Sequence, residues 1–173
     1  VAPDDGTIAA AAAQPLVALA QKAGAAALIF DDARLARTLR ADGVHLAWTA
    51  DILAKAAEAR EILGQGGIVG ADAGSSRHDA MELGELGVDY VAFGPTAGLD
   101  HDQGAAARDE LVAWWADLFE IPLVALSVSD PGEAAVLAEA DADFVAVGLT
   151  AGAAATLEAC ASAIGAARAV PAA

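Results

Sequence analysis

Six short apolar runs punctuate the chain, at residues 26–30, 43–46, 67–71, 90–93, 123–126 and 144–147. Each is apolar almost throughout rather than alternating, which predicts strands covered on both faces, as in a parallel sheet. Their starts step by 17, 24, 23, 33 and 21 residues, the pitch of a strand, a crossover helix and two loops. Between the runs the apolar period lengthens to that of a helix. Ile52, Ala56, Ala59 and Leu63 form one stripe, with Lys55, Glu58, Arg60 and Glu61 expected to face solvent. Leu111, Trp114, Trp115 and Leu118 form another. Helix ends are readable too. Asp130 precedes Pro131 and Glu133, and Ser76 stands three residues before Asp79. Pro15 starts or kinks a helix near residues 14–24.

A repeat runs through this pattern. Ala41-Asp42-Gly43-Val44-His45-Leu46 recurs as Val88-Asp89-Tyr90-Val91-Ala92-Phe93 and again as Ala142-Asp143-Phe144-Val145-Ala146-Val147. Each copy sets an Asp between a helix and the next strand. The copies lie 47 and 54 residues apart, about two βα units each time. Repeated βα units favour an α/β fold of the TIM (β/α)8 type over a doubly wound sheet. The 173 residues are expected to form one domain: a helical part at 1–24, core βα units at 25–150 and a helix at 151–173.

Composition narrows the partners. The 50 alanines and 17 glycines suit close helix-on-sheet packing. Acids outnumber bases 25 to 9, giving a net charge of -16, so neither nucleic acid nor an anionic membrane is an expected partner. The lone Cys160 forms no disulfide within the chain and reads as a small core residue in a cytoplasmic protein.

Functional groups in a parallel βα array gather at the carboxyl ends of strands. Those positions hold Asp31 and Asp32, Asp51, Asp72, Gly94 and Thr96, Ser127, and Gly148-Leu149-Thr150. The carboxylates suit a hard cation such as magnesium, with substrate phosphate completing the set. They equally suit caps of the helices that follow. Gly148, Leu149 and Thr150 open a helix whose backbone N–H groups would hold a phosphate, and a plain turn reads the same way. Of the histidines, His45 reads as a hydrogen-bonded core residue, His78 as exposed, and His101 lies in an acidic loop.

The order Ala27-Leu28-Ile29-Phe30-Asp31-Asp32, Ala41-Asp42-Gly43-Val44-His45-Leu46, Ile68-Val69-Gly70 and Gly87-Val88-Asp89-Tyr90-Val91-Ala92-Phe93-Gly94-Pro95 resembles the thiamine phosphate synthase/TenI family. That resemblance implies a (β/α)8 barrel. It implies either a synthase joining a pyrimidine methyl diphosphate to a thiazole phosphate with magnesium, or a TenI-type relative that binds or aromatises thiazole phosphate. It places Asp32 on the family's magnesium aspartate and Asp31 on the Asn before it. Several family positions differ. Ala47-Trp48-Thr49-Ala50 replaces a Gly-Gln-acid-Asp run, leaving Asp51 one residue late as a second metal ligand. Asp72 replaces a Ser, Ser127-Val128 replaces a Gly-Gly, and the loop after Pro95 lacks a Lys.

The expected function is therefore a family barrel in thiamin metabolism with a depleted site, binding a small phosphorylated or thiazole-like ligand. The alternative is an active magnesium-dependent synthase. In either case Asp32 and Asp51 are the metal candidates. Asp31, Asp72, Gly94, Thr96, Ser127, Gly148, Leu149 and Thr150 are the ligand or phosphate candidates. Six strands of eight are visible, so upstream residues or a second copy of the chain, as in a homodimer, are expected to cover the exposed sheet edges.

Overall fold

The computed structural model describes residues 10–96, 98–148 and 154–169. Helices and strands alternate along them: α1 (Ala10–Lys22), β1 (Leu28–Phe30), α2 (Ala33–Leu39), β2 (Gly43–Leu46), α3 (Ile52–Leu63), β3 (Ile68–Asp72) and α4 (Arg77–Leu86). There follow β4 (Tyr90–Phe93), α5 (His101–Leu118), β5 (Leu123–Val128), α6 (Pro131–Glu139), β6 (Phe144–Val147) and α7 (Ala154–Arg168). All six predicted strands form. The chain packs as two compact units, one of residues up to Ala73 with His78–Tyr90, the other of Gly74–Arg77 and residues from Val91 on.

In the first unit β1, β2 and β3 pair in parallel and in chain order, with Ile29 opposite Val44 and Val44 opposite Val69. Helix α1 packs on this sheet through Ala13 and Val17, which meet Ile29, Ala36 and Leu39 in one buried cluster. Pro15 is accommodated inside α1. In the second unit β4, β5 and β6 pair in parallel, with Ala92 opposite Val124 and Ala125 opposite Val145. Its core gathers Phe93, Val112, Trp115, Leu123 and Leu137, each fully buried. The Trp115 indole stacks on Phe119 at 4.1 Å and its N–H donates to the Ile121 carbonyl.

The Asp repeat has a structural cause. Asp42 Oδ2 accepts the Ala27 N–H at 2.7 Å, Asp89 Oδ2 accepts the Val69 N–H at 2.7 Å, and Asp143 Oδ2 accepts the Leu123 N–H at 2.9 Å. In each copy the Asp that enters one strand satisfies an otherwise open donor at the start of the strand beside it. These bonds lie at the amino ends of the strands, so the repeat is a fastening of strand pairs.

Several element bounds and one helix stripe differ from the sequence expectation; among them β1 starts at Leu28, β3 starts at Ile68, and His101, expected in a loop, opens α5. Strand β5 continues to Val128, so Ser127 lies within the strand, where a bulge between Ala125 and Val128 shifts the register. Asp72 is the last residue of β3, not a loop residue. The buried stripe of α5 is Arg108, Leu111, Val112 and Trp115, spaced i, i+3, i+4, i+7, whereas Leu118 is 62% exposed in the last turn. The stripe thus runs nearer the start of the helix than the aromatic residues alone suggest.

Candidate active site

At the carboxyl end of β1 the adjacent carboxylates part company. Asp31 turns left-handed, with φ 56, and its N–H donates to the His45 carbonyl. Its Oδ1 accepts from the Ala47 N–H at 3.2 Å and from Lys55 Nζ at 2.8 Å, with Nζ also 3.0 Å from Oδ2. Asp32 returns to extended backbone and caps α2, its Oδ1 accepting the Leu35 N–H at 2.8 Å. Both line one small cavity of about 140 Å³ with Lys55, Glu58 and Leu46.

Asp51 and Asp72 do not line that cavity. Asp51 holds the N-cap position of α3 without a side-chain capping bond. The neighbouring Thr49, its own backbone N–H and Lys55 draw its exposed carboxyl below the usual range, while the buried Thr49 hydroxyl has no hydrogen-bond partner of good geometry among the described residues. Asp72 is half-buried.

Lys55 corrects the expectation that it faces solvent. It sits in the first turn of α3, at the same end of the unit as the strand termini, and its long stem bends back to Asp31. Arg60 departs in the same way. Its guanidinium donates to Asp89 and to the carbonyls of Gly64, Gly67 and Gly87.

Behind the rim of the first unit lies a row of rings. The His45 ring is 5.9 Å from Phe30 and stacked 5.8 Å from Tyr90. His45 Nδ1 and the Tyr90 hydroxyl share a hydrogen bond of 2.9 Å. Burial pushes the His45 pKa down against the opposing pull of Asp31, and burial pushes the Tyr90 hydroxyl up. The pair is therefore neutral near pH 7. His45 is the hydrogen-bonded interior residue that its strand position implied. Trp48, on the loop after β2, stays half-exposed and donates from Nε1 to Asp79 Oδ2 at 3.3 Å.

In the second unit the candidates lie after β4, on β5 and after β6. Thr96 follows Gly94 and Pro95, and its Oγ1 is buried with no hydrogen-bond partner among the described residues. Ser127 is exposed and left-handed at φ 61, an uncommon state for a residue with a Cβ. The Gly148 N–H donates to the Val128 carbonyl at 3.2 Å. Leu149 and Thr150 lie outside the described residues, as does the side chain of His101. His78 is exposed and faces Glu82 across one helical turn, and Cys160 is buried.

A family model described as thiamine monophosphate synthase matches residues 4–150. The chain belongs to the thiamine monophosphate synthase family. It is 44% identical over 142 residues to a thiamine-phosphate synthase of Erythrobacter litoralis, covering 80% of this chain and 65% of that protein. It is 44% identical over 133 residues to a thiamine-phosphate synthase of Hyphomonas neptunium, covering 76% of this chain and 59% of that protein. The chain thus spans less than two thirds of the length of these relatives. The solved thiamine phosphate pyrophosphorylase of Pyrococcus furiosus superimposes with a TM-score of 0.72 at 23% identity, over 91% of this chain and 76% of that one. That likeness shows the fold, which is the TIM-like α/β fold the strand spacing implied.

Within this thiamine monophosphate synthase fold, the donor chemistry fits magnesium. Magnesium keeps several waters and takes one or two carboxylates plus substrate phosphate. Asp32 lines the cavity beside Asp31, which Lys55 holds, and Asp51 lies outside it. Among the described residues no group of three or more His, Cys, Asp and Glu gathers around a point, so the chain alone builds no closed cation cage. Among the described residues no helix is long and apolar enough to cross a membrane.

Proposed function

We propose that the protein carrying this chain is a thiamine phosphate synthase, coupling a pyrimidine methyl diphosphate to a thiazole phosphate. The observation that carries this reading is the Asp31–Lys55 pair. It places a cation on a rim that a count of charges makes wholly acidic, and it leaves Asp32 and Asp51 for a hard cation. Bound magnesium would supply positive charge to the diphosphate and so make it a better leaving group.

This chain's residues do the rest. Asp32, fixed in direction by its bond to the Leu35 N–H, and Asp51, whose carboxyl lies below its usual range, would hold the cation. The Thr96 hydroxyl, buried with no hydrogen-bond partner among the described residues, is a donor for a phosphate oxygen. In the reaction the C–O bond between the pyrimidine methylene and diphosphate breaks and diphosphate leaves with the electron pair. The thiazole nitrogen then forms the new C–N bond. Mixing the full-length protein with both substrates and magnesium tests this. Thiamine phosphate is expected to form, and Asp32→Ala is expected to abolish turnover.

A second reading keeps the barrel as a binder of a phosphorylated or thiazole-like ligand without catalysis. It is favoured by the loop after β2, where Trp48 takes up Asp79 and the family's Gly-Gln-acid-Asp run is gone. Calorimetric binding of thiazole phosphate by a folded protein that forms no thiamine phosphate would establish it.

A further inference from the structure

Acids outnumber bases 25 to 9, and most arginines of the chain have a companion. Arg34 pairs with Glu58, Arg60 with Asp89, and Arg108 with Asp109 and Glu133. Arg77 stands 4.8 Å from the Trp114 ring, and Arg168 donates to the Ala142 and Asp143 carbonyls. Arg37 and Arg40 are the exceptions. Neither has a carboxylate partner among the described residues. Arg37 makes one long bond, from Nη1 to the Ile62 carbonyl at 3.4 Å, and the Arg40 guanidinium makes none among the described residues.

These two arginines line one hollow of about 410 Å³ in the first unit, with Asp42, Leu63, Gly66 and Ile68. It lies at the amino ends of β2 and β3 and shares no residue with the cavity of Asp31, Asp32 and Lys55 at the carboxyl ends. Positions 37 and 40 are three apart at the end of α2, so both side chains leave one face. Other donors already serve the acceptors around them. The Arg40 N–H takes the Ala36 and Arg37 carbonyls, and Gln21 Nε2 takes the Arg40 carbonyl. Arg60 takes the Gly64 and Gly67 carbonyls on the opposite wall. Asp42 Oδ2 accepts the Ala27 N–H and Gln21 Nε2. Each guanidinium carries five N–H donors, so the hollow holds a surplus of donors over acceptors.

We propose that this hollow is a binding site for a phosphate dianion, free or carried on a small ester, held between Arg37 and Arg40. Guanidinium forks take phosphate oxygens in pairs, and two of them match the charge of the dianion. Two guanidiniums against the one carboxylate of Asp42 keep the lining net positive in a chain whose net charge is -16. The half-buried side chains of Leu63 and Ile68 give an ester's body an apolar wall. Room remains on the far side, where a Cβ added at Gly66 meets no atom within 4 Å. The site stands on these residues alone and not on the synthase reading.

Inorganic phosphate titrated into the full-length protein at fixed ionic strength tests this, with the backbone amide signals of Ala41, Gly66 and Gly67 as the readout. A saturating shift of those signals is expected. Arg37→Gln and Arg40→Gln are each expected to weaken it about fivefold. Both side chains are exposed, so neither change disturbs the core. Arg34→Gln removes the same charge from the same helix outside the hollow and is expected to leave the affinity unchanged. Phenyl phosphate, titrated in parallel, separates the two sources. Tighter binding than inorganic phosphate supports the site with an ester as its ligand, and equal binding supports it with free phosphate. A wild-type protein that shows no saturable shift overturns the proposal. So does an affinity that Arg37→Gln and Arg40→Gln leave unchanged, or one that Arg34→Gln lowers as much. No arm of the test reads thiamine phosphate formation, so failure of the synthase reading leaves this result standing.

Discussion

Asp89 Oδ2 lies 2.7 Å from the Val69 backbone nitrogen and 2.7 Å from Arg60 Nη2, so one carboxylate oxygen fastens a strand and holds a guanidinium. Asp42 and Asp143 make the same bond to Ala27 and Leu123. Removing any of them strands a part-buried N–H, at a cost of about 1–3 kcal/mol. Asp89→Ala is expected to cost most, since Arg60 loses its only carboxylate partner among the described residues. Asp→Asn is expected to recover part of each loss by keeping an acceptor. Urea midpoints with an unchanged slope, together with unaltered activity per folded molecule, would check this. Lost activity at full stability would give the repeat a chemical role instead.

Gly70 lies directly beneath the Tyr90 ring, and a Cβ added there would fall inside it. Gly70→Ala is therefore expected to expel Tyr90 from its contact with His45 and to destabilise by about 1–3 kcal/mol. In a Tyr90→Ala background the same substitution should be close to neutral. A double-mutant cycle reads the difference directly, and additive effects would show that the contact is not the cause.

The His45 ring sets a pH dependence. Its folded pKa is depressed by burial below its ordinary 6.5, so the unfolded chain takes up a proton more readily. The stabilisation is complete above pH 6.5 and is lost as pH falls through the folded value. Thermal unfolding from pH 8 to pH 5 is expected to show a decline that His45→Gln flattens. An NMR titration of the His45 ring at or above its ordinary value would contradict this.

Much of this was legible before the structure. Near-continuous apolar runs at βα spacing gave all six strands, because a strand buried on both faces has no polar side to show. The Asp repeat was equally visible, but its purpose was not, since the bond to the preceding strand's N–H exists only once strands are neighbours. The site was harder. Asp31 and Asp32 are adjacent in sequence and alike in chemistry, and only the left-handed turn at Asp31 sends one to Lys55 and the other to Leu35. Lys55 leaves the solvent face that its spacing implies because helical periodicity describes where a Cβ points, not where a four-carbon stem can reach. Arg108 did leave a signal. It stands three residues before Leu111 on the same buried stripe, a charge in an apolar series.

The Asp31–Lys55 pair separates stability from electrostatics. Both side chains keep part of their surface in water, 35% and 26%, so the ion pair contributes only about 0.5 kcal/mol once solvent screening is counted. Asp31 also accepts the Ala47 N–H while left-handed, a conformation that Asn tolerates well. Asp31→Asn is thus expected to be nearly neutral for folding, and Lys55→Met to cost less than about 1 kcal/mol. Their effects on an anionic ligand should run in opposite directions. Lys55→Met makes the rim one charge more negative and is expected to weaken thiazole phosphate binding. Asp31→Asn removes a negative charge, frees the ammonium, and is expected to strengthen it. Both effects should shrink as salt is raised from 0.05 to about 0.5 M, because exposed charges are screened within a few ångströms there. Calorimetry at the two salt concentrations measures this, and equal shifts in the same direction for both variants would mean that the pair acts by shape and not by charge.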